Sequence, residues 1–478
     1  MQPSTRLNAM LKPESIAVVG ASRDKPGASW VDMFGQLVEF GYRGRLYPIN
    51  PKADVIRGHT AYASLLDLPE PVDLVIIGLS APIVPWILRD CVTTGNRNVH
   101  IFSAGFGETG EEQGQTLQEE ITQIAVDGGL RVIGPNSMGI FSPRLRLVTW
   151  AGAPEEIGSV GILTQSGGFA DAILGYGSQI GLSFSTVVNY GTGLTVDASD
   201  LVEYLSNDPD SDTIGVYLEG VADGRRLFDV VARTTPDKPV VMVKPGASRA
   251  ARRTAASHTG SLAGDDRIWQ GFFAQTGAIR VDSVQDMAHT IDALKRLPRP
   301  AGNRVAIIGT GGGSSVVAAD ACSRAGLDVP PLSGEARAEL RKTIPAAGNI
   351  ITNPVDAHDV MTDPAQMPPV LEALSLQEYL DMVVVYFHID WMYDVAPDRI
   401  AALATFLAES GSTYMNGKPL VATWRSYRSG PEYETVIQEM RETLVDGGIP
   451  LFPDIDSTAR TLSRLADYSG FVASAKAT

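Results

Sequence analysis

The chain has 478 residues, of which 44% are hydrophobic and 20% are charged, so it is typical of a globular protein of roughly two to four domains and unlike disordered or coiled-coil chains. Its 39 basic and 55 acidic side chains give a net charge of −16, which disfavours a nucleic acid partner. It has only two cysteines, and no apolar run reaches the roughly 18 residues of a membrane span, so we expect a cytoplasmic protein without structural disulfides or a membrane segment.

Three segments share one pattern, in which a short β-branched run ends in glycine or serine and opens into a helix of small residues. They lie at Ser15–Ser22, Ser159–Gly168 and Arg304–Ser315. Each is typical of the first strand and phosphate-facing turn of an α/β domain, and the spacing of further apolar runs indicates parallel βαβ units. We therefore predict three doubly wound α/β domains. Their predicted limits, placed near stretches rich in proline and glycine, are residues 1–145, 146–298 and 303–478.

The first glycine-rich turn, Gly20–Gly27, lacks the GxGxxG pattern of nucleotide-binding dehydrogenases. The second strand ends in Asn50, Pro51 and Lys52, where those enzymes carry an acidic residue that holds the ribose hydroxyls. A lysine at this position favours a phosphate over a bare ribose. Coenzyme A, an ADP with a 3′-phosphate, therefore fits this turn better than NAD. The alternative is a purely structural turn with a surface lysine.

A literal GxGxxG does occur later in the same domain, at Gly105–Gly110, but Glu108 lies within it. A carboxylate there would repel a pyrophosphate, so we expect this loop to border a ligand and not to bind a dinucleotide. No GxxxxGK[ST] phosphate-binding loop is present in the sequence.

The segment Thr164–Gly168 reads TQSGG, where a predicted strand ends and a predicted helix begins. The free N–H groups and the dipole of such a helix start favour an anion. The third turn, Gly309–Ser315, is a second helix start of this kind. A serine hydrolase with Ser166 as the nucleophile and His258 as its base is an alternative, although Thr164 replaces the first glycine of the usual GxSxG turn.

His258 differs from the other histidines because it lies in a loop of small residues, Ser257–Gly264, that follows a basic stretch. An imidazole on such a loop can act as a nucleophile toward phosphorus and carry a phosphoryl group between sites. Glu219, at the end of a predicted strand, is the candidate carboxylate that holds the imidazole in its reactive tautomer. The alternative is a solvated loop that happens to hold a histidine. Five histidines have neighbours typical of ordinary surface or core positions and no metal-ligand spacing, so we predict no metal site: His59, His100, His289, His358 and His388.

These residues resemble the α subunit of an NDP-forming acyl-CoA synthetase, the ADP-forming acetyl-CoA synthetase type within the succinyl-CoA synthetase superfamily. The similarity runs from about Leu11 to Gly470 and is most specific in SHTGSLAG, at residues 257–264, and VKPG, at residues 243–246. The resemblance implies an N-terminal CoA-binding Rossmann-like domain followed by two flavodoxin-like, succinyl-CoA synthetase-like domains. The second of the three domains would hold the phosphohistidine, and the third would be a ligase-CoA-like domain.

The resemblance also assigns roles to individual residues. His258 would be transiently phosphorylated, and Glu219 would orient it. The implied phosphate-binding residues are Ser166, Gly167, Gly168, Gly311, Gly312, Gly313 and Ser314. The implied coenzyme A contacts are Gly20, Ser22, Lys25, Asn50, Pro51, Lys52, Ser80, Pro82, Ser103 and Asn136.

The family completes its chemistry with an ATP-grasp module, for which no segment is recognisable here. A separate ATP-grasp β subunit that binds ATP or ADP with Mg is therefore implied, and α2β2 is the family-like assembly. The acid is left open between small and larger carboxylic acids, because Asn189–Gly193 and Gly309–Ser315 depart from the family pattern. A protein that only binds coenzyme A, as a sensor or scaffold, is a further alternative.

Overall fold

A computed structural model describes residues 3–22, 32–246, 248 and 265–477. The chain divides into two compact units, Met1–Met287 and Ala288–Thr478. Open, mostly parallel sheets flanked by helices occur in both units, so the predicted doubly wound α/β class is confirmed. The three domain limits given above stay predictions.

The first sheet of the first unit contains five parallel strands within the described residues. The strands of this sheet and of a short hairpin are β1 (Ser15–Val19), β2 (Arg45–Ile49), β3 (Val55–Ile56), β4 (His59–Thr60), β5 (Leu74–Ile77), β6 (Asn98–Ile101) and β7 (Arg131–Ile133). Their order is β2-β1-β5-β6-β7. Every residue of β1 and β5 is buried, as expected for continuous apolar runs that are covered by helices on both faces. The helices are α1 (Pro3–Leu11), α2 (Met33–Phe40), α3 (Val84–Thr94) and α4 (Glu112–Asp127).

The second sheet of the first unit has the order β14-β13-β12-β10-β11-β8-β9. Its strands are β8 (Gly139–Ser142), β9 (Leu147–Val148), β10 (Ile157–Thr164), β11 (Phe184–Asn189), β12 (Thr213–Tyr217), β13 (Val240–Val243) and β14 (Ile279–Val281). The strands β8 and β9 add an antiparallel edge to an otherwise parallel sheet. The strand β8 therefore pairs within the second sheet, although it precedes the predicted limit at residue 145. The helices are α5 (Gly167–Gln179), α6 (Ala198–Asn207), α7 (Gly224–Thr234) and α8 (Asp266–Thr276).

The sheet of the second unit has the order β16-β17-β15-β18-β19-β20. Its strands are β15 (Val305–Gly309), β16 (Ile350–Ile351), β17 (Val355–Asp356), β18 (Met382–His388), β19 (Leu420–Arg425) and β20 (Leu451–Phe452). All neighbours are parallel except β16. The remaining helices are α9 (Val284–Arg296), which spans the limit between the units, α10 (Gly312–Arg324), α11 (Gly334–Leu340), α12 (His358–Thr362), α13 (Met367–Ser375), α14 (Ile389–Val395), α15 (Asp398–Thr413), α16 (Pro431–Asp446) and α17 (Ile455–Ala477).

Each sheet has a point where the strand order reverses, beside β1, β10 and β15 respectively. On the two sides of such a point the connections leave in opposite directions, so a crevice opens at the carboxyl ends of the strands, and ligands of open α/β sheets bind there. The three segments that share the strand-and-turn pattern, Ser15–Ser22, Ser159–Gly168 and Arg304–Ser315, contain β1, β10 and β15 and the turns that follow them. The fold therefore places them at the three positions where a ligand is expected. None of the described helices combines the length and apolarity that a membrane crossing requires.

Candidate functional site

The turn after β10 is organised by Thr164 and Ser166. The Thr164 hydroxyl accepts from the N–H of Ser166 at 3.0 Å and donates to its carbonyl at 2.9 Å. Ser166 is the N-cap of α5, and its hydroxyl accepts from the N–H of Phe169 at 3.3 Å. Because the first turn of a helix has no intrahelical partners for its N–H groups, those of Gly167 and Gly168 are the donors left for an anion.

The backbone of Ser166 argues against the hydrolase alternative. Its φ and ψ of −98° and 123° are those of ordinary extended chain, whereas the nucleophile of a GxSxG turn sits on a strained strand-to-helix turn. Its hydroxyl is already used as a helix cap. Gly167 is needed for packing, because a Cβ there would lie 2.7 Å from the Met138 sulfur.

Glu219 lies just beyond β12, next to the turn after β10, and is 5% exposed. The Gln165 side-chain oxygen accepts from the N–H of Glu219 at 2.6 Å and from that of Gly220 at 3.1 Å. The Tyr217 hydroxyl donates to Oε1 of Glu219 at 3.2 Å. Burial and the adjacent Glu219 charge raise the pKa of Tyr217, so this hydroxyl stays a donor at neutral pH. The carboxylate predicted to orient the histidine is therefore held by its backbone and by its side chain.

Lys244, the first residue after β13, reaches the backbone of Glu219 from the neighbouring strand. It is 5% exposed, and its Nζ donates to the carbonyl oxygens of Glu219 and Pro245, both at 2.8 Å. The Nζ lies 5.1 Å from the centre of the Trp269 ring. Burial lowers the pKa of Lys244 to about 8, against the opposing charge of Glu219. Gln165, just after β10, and Lys244, just after β13, thus hold the backbone of Glu219 from two sides.

The end of β11 supports the turn after β10. The Asn189 side chain donates to the Thr164 carbonyl at 2.9 Å and accepts from the N–H of Met138 at 2.6 Å. Asn189 and Tyr190 are buried, so they cannot line an open acyl pocket by themselves. Within this segment Thr192 is the exposed side chain.

Two predicted residues, the catalytic His258 and the coenzyme A contact Lys25, lie outside the described residues. The described residues contain no group of three or more His, Cys, Asp or Glu side chains placed to hold a metal ion.

The turn after β1 requires glycine at position 20. Gly20 has a φ of +94°, and a Cβ there would lie 2.8 Å from a Leu79 methyl group and 3.1 Å from the Gly78 carbonyl oxygen. Asn50 after β2 fixes this turn, because its side chain donates to the Ala21 carbonyl at 2.7 Å. The amide oxygen of Asn50 accepts from the N–H of Lys52 at 2.9 Å. The turns after β1, β2 and β5 are therefore tightly joined.

The other predicted coenzyme A contacts lie at this same carboxyl edge, after β1, β2, β5, β6 and β7. Their exposed members are Ser22, Pro51, Lys52, Ser80, Pro82 and Asn136. Ser103 is buried, and its hydroxyl donates to the Leu79 carbonyl. Asn136 donates its backbone N–H to the Ser103 carbonyl at 2.9 Å. The fold thus gathers the described members of this set at one edge of the sheet, where Asn50 and Ser103 hold the loops and the side chains named above are exposed.

In the GxGxxG loop, two backbone N–H groups donate to a side chain of the loop itself. The Glu108 carboxylate accepts from the N–H of Gly105 at 2.6 Å and from that of Phe106 at 3.2 Å. A pyrophosphate would have to displace this carboxylate. The geometry supports the interpretation that this loop does not bind a dinucleotide.

The turn after β15 forms the start of α10 in the second unit. Gly311 has a φ of +93°, and its N–H donates to the Asp356 carboxylate at 2.8 Å. Gly312 and Gly313 are exposed. The Ser314 hydroxyl accepts from Nη1 of Arg425 at 2.8 Å. The predicted phosphate-binding glycines thus lie beside an acidic residue and an arginine.

Comparisons with known proteins identify the family to which this chain belongs. A model described as "CoA binding domain" matches residues 14–143, and one described as "Succinyl-CoA ligase like flavodoxin domain" matches residues 157–294. The α subunit of the ADP-forming acetate–CoA ligase I of Pyrococcus furiosus is 32% identical over 98% of this chain and 99% of its own length. The chain belongs to the α-subunit family of the ADP-forming acetate–CoA ligases. The resemblance inferred from the motifs is thereby confirmed.

Two further matches show how much of this ADP-forming ligase α subunit corresponds to known proteins. The ADP-forming acetate–CoA ligase I of Archaeoglobus fulgidus is 33% identical over 97% of this chain, which spans 64% of that relative's length. The solved structure of the dinucleotide-forming acetyl-coenzyme A synthetase 1 of Ca. Korarchaeum cryptofilum, in complex with phosphate and ADP, superposes with a TM-score of 0.84. It is 28% identical, and the match covers 99% of both chains.

Sequence reasoning missed three polar side chains of this ligase α subunit that lie at strand ends: Gln165, Lys244 and Arg425. Gln165 and Lys244 stood inside motifs that were singled out, TQSGG and VKPG. A lysine directly after the buried run Val240–Val243 was the available signal, because a charge at the end of a buried strand needs a partner. Arg425 had no sequence signal of its own. It aligns with His388 across the β18–β19 pair, and its Nε is buried without a hydrogen-bond partner among the described residues.

Proposed function

We propose that this chain is the α subunit of a carboxylate–CoA ligase in which His258 carries a phosphoryl group from ATP to an organic acid. The observation that carries the proposal is the fixed, buried Glu219 at the same sheet edge as the start of α5. A carboxylate in that position suits an imidazole that must present one nitrogen to phosphorus and donate from the other. Family membership supports the same reaction class.

The proposed first step forms a nitrogen–phosphorus bond. The unprotonated ring nitrogen of His258 attacks the γ-phosphorus of ATP, the bond to the bridging oxygen breaks, and ADP leaves. Glu219 accepts a hydrogen bond from the N–H of the other ring nitrogen and stabilises the positive charge that develops on the ring. The N–H groups of Gly167 and Gly168 suit the phosphoryl oxygens. The helix start at Gly312 and Gly313 stays a separate predicted phosphate-binding turn.

The proposed later steps return the histidine to its starting state. A carboxylate oxygen of the acid attacks phosphorus, the nitrogen–phosphorus bond breaks, and an acyl phosphate forms. The deprotonated thiol of coenzyme A then attacks the acyl carbon, phosphate leaves, and the thioester is the product. The exposed residues at the first sheet's edge, Ser22, Lys52, Ser80 and Asn136, are the proposed contacts of coenzyme A, and Lys52 is suited to its 3′-phosphate.

ATP would be bound by a separate ATP-grasp β subunit, together with Mg. This part is supported by the P. furiosus relative, which is named an α subunit and is covered almost completely, and by the longer A. fulgidus relative, of which this chain spans 64%. An α2β2 assembly and a cytoplasmic location stay predictions. So does the identity of the acid.

The test is phosphorylation with γ-labelled ATP in the presence of a co-encoded ATP-grasp protein. We expect acid-labile, alkali-stable label on the wild-type chain and none on His258→Asn. Label that persists in His258→Asn, or no label on the wild type, would contradict the shuttle. Reaction of Ser166 with a fluorophosphonate probe would favour the hydrolase. Binding of coenzyme A without any formation of ADP would favour the sensor.

A further inference from the structure

Lys244 is a buried lysine whose ammonium group is hydrogen-bonded by the residues around it. Its Nζ donates to two backbone carbonyls, those of Glu219 and Pro245, and faces the Trp269 ring. A buried lysine costs free energy unless its charge is compensated, and an apolar side chain would fill the same space without that cost. The site therefore maintains a charge at a place where packing alone does not require one.

The charged groups around Lys244 come from each element packed against it. Glu219 approaches from the end of β12 and favours the charged ammonium, as does Asp266 at the start of α8. Arg280 on β14 opposes it. Arg280 and Asp266 are paired with each other at 2.7 Å. The direct contact between Lys244 and Glu219 is the hydrogen bond from Nζ to the Glu219 backbone carbonyl.

We propose that Lys244 is a positioning residue for phosphoryl transfer: its ammonium group anchors the backbone carbonyl of Glu219, so that the carboxylate of Glu219 stays aligned for the histidine. This inference rests on the function proposed above. Lys244 is given no direct part in the bond-making steps. It acts through Glu219, whose N–H is held from the other side by Gln165.

The charge of Lys244 is what distinguishes this role from ordinary packing. A hydrogen bond from an ammonium group is about twice as strong as one from a neutral amine, so deprotonation weakens the anchor without removing the side chain. Since burial lowers the pKa of Lys244 to about 8, the hydrogen bond from Lys244 to the Glu219 carbonyl weakens in a pH range where the protein can be assayed. The rate of phosphoenzyme formation should therefore fall as the pH rises through about 8.

The chain offers a matched control in Lys238, which precedes β13 at its opposite end. Its Nζ also donates to two backbone carbonyls, of Leu205 at 2.9 Å and Asp208 at 2.6 Å, and burial also lowers its pKa. Lys238 has the same chemistry but does not contact Glu219. Loss of a half-buried lysine as such can therefore be separated from loss of the anchor.

The experiment measures the rate of labelling by γ-labelled ATP from pH 6 to 10, with the ATP-grasp partner present. Lys244→Met should lower the rate about 10- to 100-fold, the loss expected for a charge-assisted hydrogen bond, and should abolish the alkaline fall. Lys244→Arg should recover most of the rate and move the alkaline fall upward, because a guanidinium stays charged throughout this range. Lys238→Met should keep the wild-type rate within about twofold and its pH profile. Thermal unfolding of each variant checks that it is folded.

Three results would overturn the inference. They are a wild-type rate that does not fall between pH 7 and 9.5, a Lys244→Met profile equal to that of the wild type, or a Lys238→Met loss equal to that of Lys244→Met. If Lys244→Met does not fold, the comparison of the wild-type pH profile with that of Lys244→Arg decides the matter. Absence of label on wild type would instead contradict the phosphohistidine function, so the two failures are distinguishable.

Discussion

The side-chain oxygen of Gln165 accepts a hydrogen bond from the backbone N–H of Glu219 at 2.6 Å, across two neighbouring strands of the second sheet. The same oxygen also accepts from the N–H of Gly220. One amide side chain thus links the turn that begins α5 to the carboxylate that we assign to the histidine. This contact has consequences that can be measured.

Replacement of Gln165 by Met should reduce phosphoenzyme formation. The variant keeps the side-chain length but leaves the N–H groups of Glu219 and Gly220 without their acceptor, at a cost of about 1–3 kcal/mol. Glu219 should then lose its alignment, and labelling by γ-labelled ATP should slow about tenfold. Gln179, exposed at the end of α5, is the control: Gln179→Met should label at the wild-type rate. Equal rates for the wild type and Gln165→Met would show that this contact has no part in the reaction.

Local sequence patterns sufficed for the strands and turns but not for this contact. The β-branched run before Gly20 and the small residues after Thr164 specify their structures through near neighbours. Gln165 meets Glu219 only because β10 and β12 are adjacent in the sheet, although β11 lies between them in sequence. Likewise, β8 pairs with β11 as an antiparallel edge, which depends on pairing over more than 40 residues. Sheet order is set by packing of the whole domain, so a local pattern does not reveal it.

Replacement of Gly20 by Ala should weaken coenzyme A binding. A φ of +94° costs an L-residue about 1–2 kcal/mol, and the new Cβ would also press on the turn after β5. The crevice between the turns after β1 and β5 should deform, and calorimetry should give about a tenfold higher Kd for coenzyme A.

Gly41 is the matched control for Gly20. It has a φ of +82° at the end of α2, and a Cβ added there would have no other atom within 4 Å, so Gly41→Ala carries the backbone strain without the contact. It should lower the free energy of unfolding and leave the Kd for coenzyme A unchanged. A similar loss of affinity in both variants would mean that strain alone, wherever it lies, weakens binding.

His100 should make the first unit sensitive to acid. This histidine on β6 is fully buried, with Nε2 at 2.9 Å from the Ser137 carbonyl, and burial lowers its pKa to about 4 from an ordinary value near 6.5. Between pH 4 and pH 6.5, His100 is therefore protonated in the unfolded chain and neutral in the folded chain. The stabilising contribution is present above pH 6.5 and is lost as the pH falls toward 4, with a slope of up to about 1.4 kcal/mol per pH unit.

The measurement is urea unfolding of the wild type and His100→Gln at several pH values from 4 to 7. The variant removes the titrating group, so its free energy of unfolding should depend less steeply on pH, whatever its absolute stability. Parallel pH dependences for the two proteins would contradict this assignment.

Arg425 should matter for phosphate in the reverse reaction, in which acyl-CoA, ADP and phosphate are the substrates. Its guanidinium donates to the Ser314 hydroxyl at 2.8 Å, beside the start of α10, and it aligns with His388 on the neighbouring strand. Arg425→Met removes a fixed positive charge from a proposed phosphate site, so the KM for phosphate should rise about tenfold. Arg428 is the control, because it pairs with Asp394 at 2.6 Å on the surface, and Arg428→Met should leave that KM within about twofold.

The same variant should change the titration of His388, which gives a readout independent of catalysis. Burial lowers the pKa of His388, and the charge of Arg425 lowers it further, against the opposing charge of Asp390. Removal of the guanidinium leaves Asp390, at 3.7 Å, as the main charged neighbour, so the pKa of His388 should rise in Arg425→Met. Imidazole proton resonances, assigned with His388→Gln, measure this shift. A rise in the KM for phosphate without a rise in this pKa would place the effect of Arg425 on Ser314 and the helix start alone, whereas an unchanged KM would remove Arg425 from the proposed phosphate site.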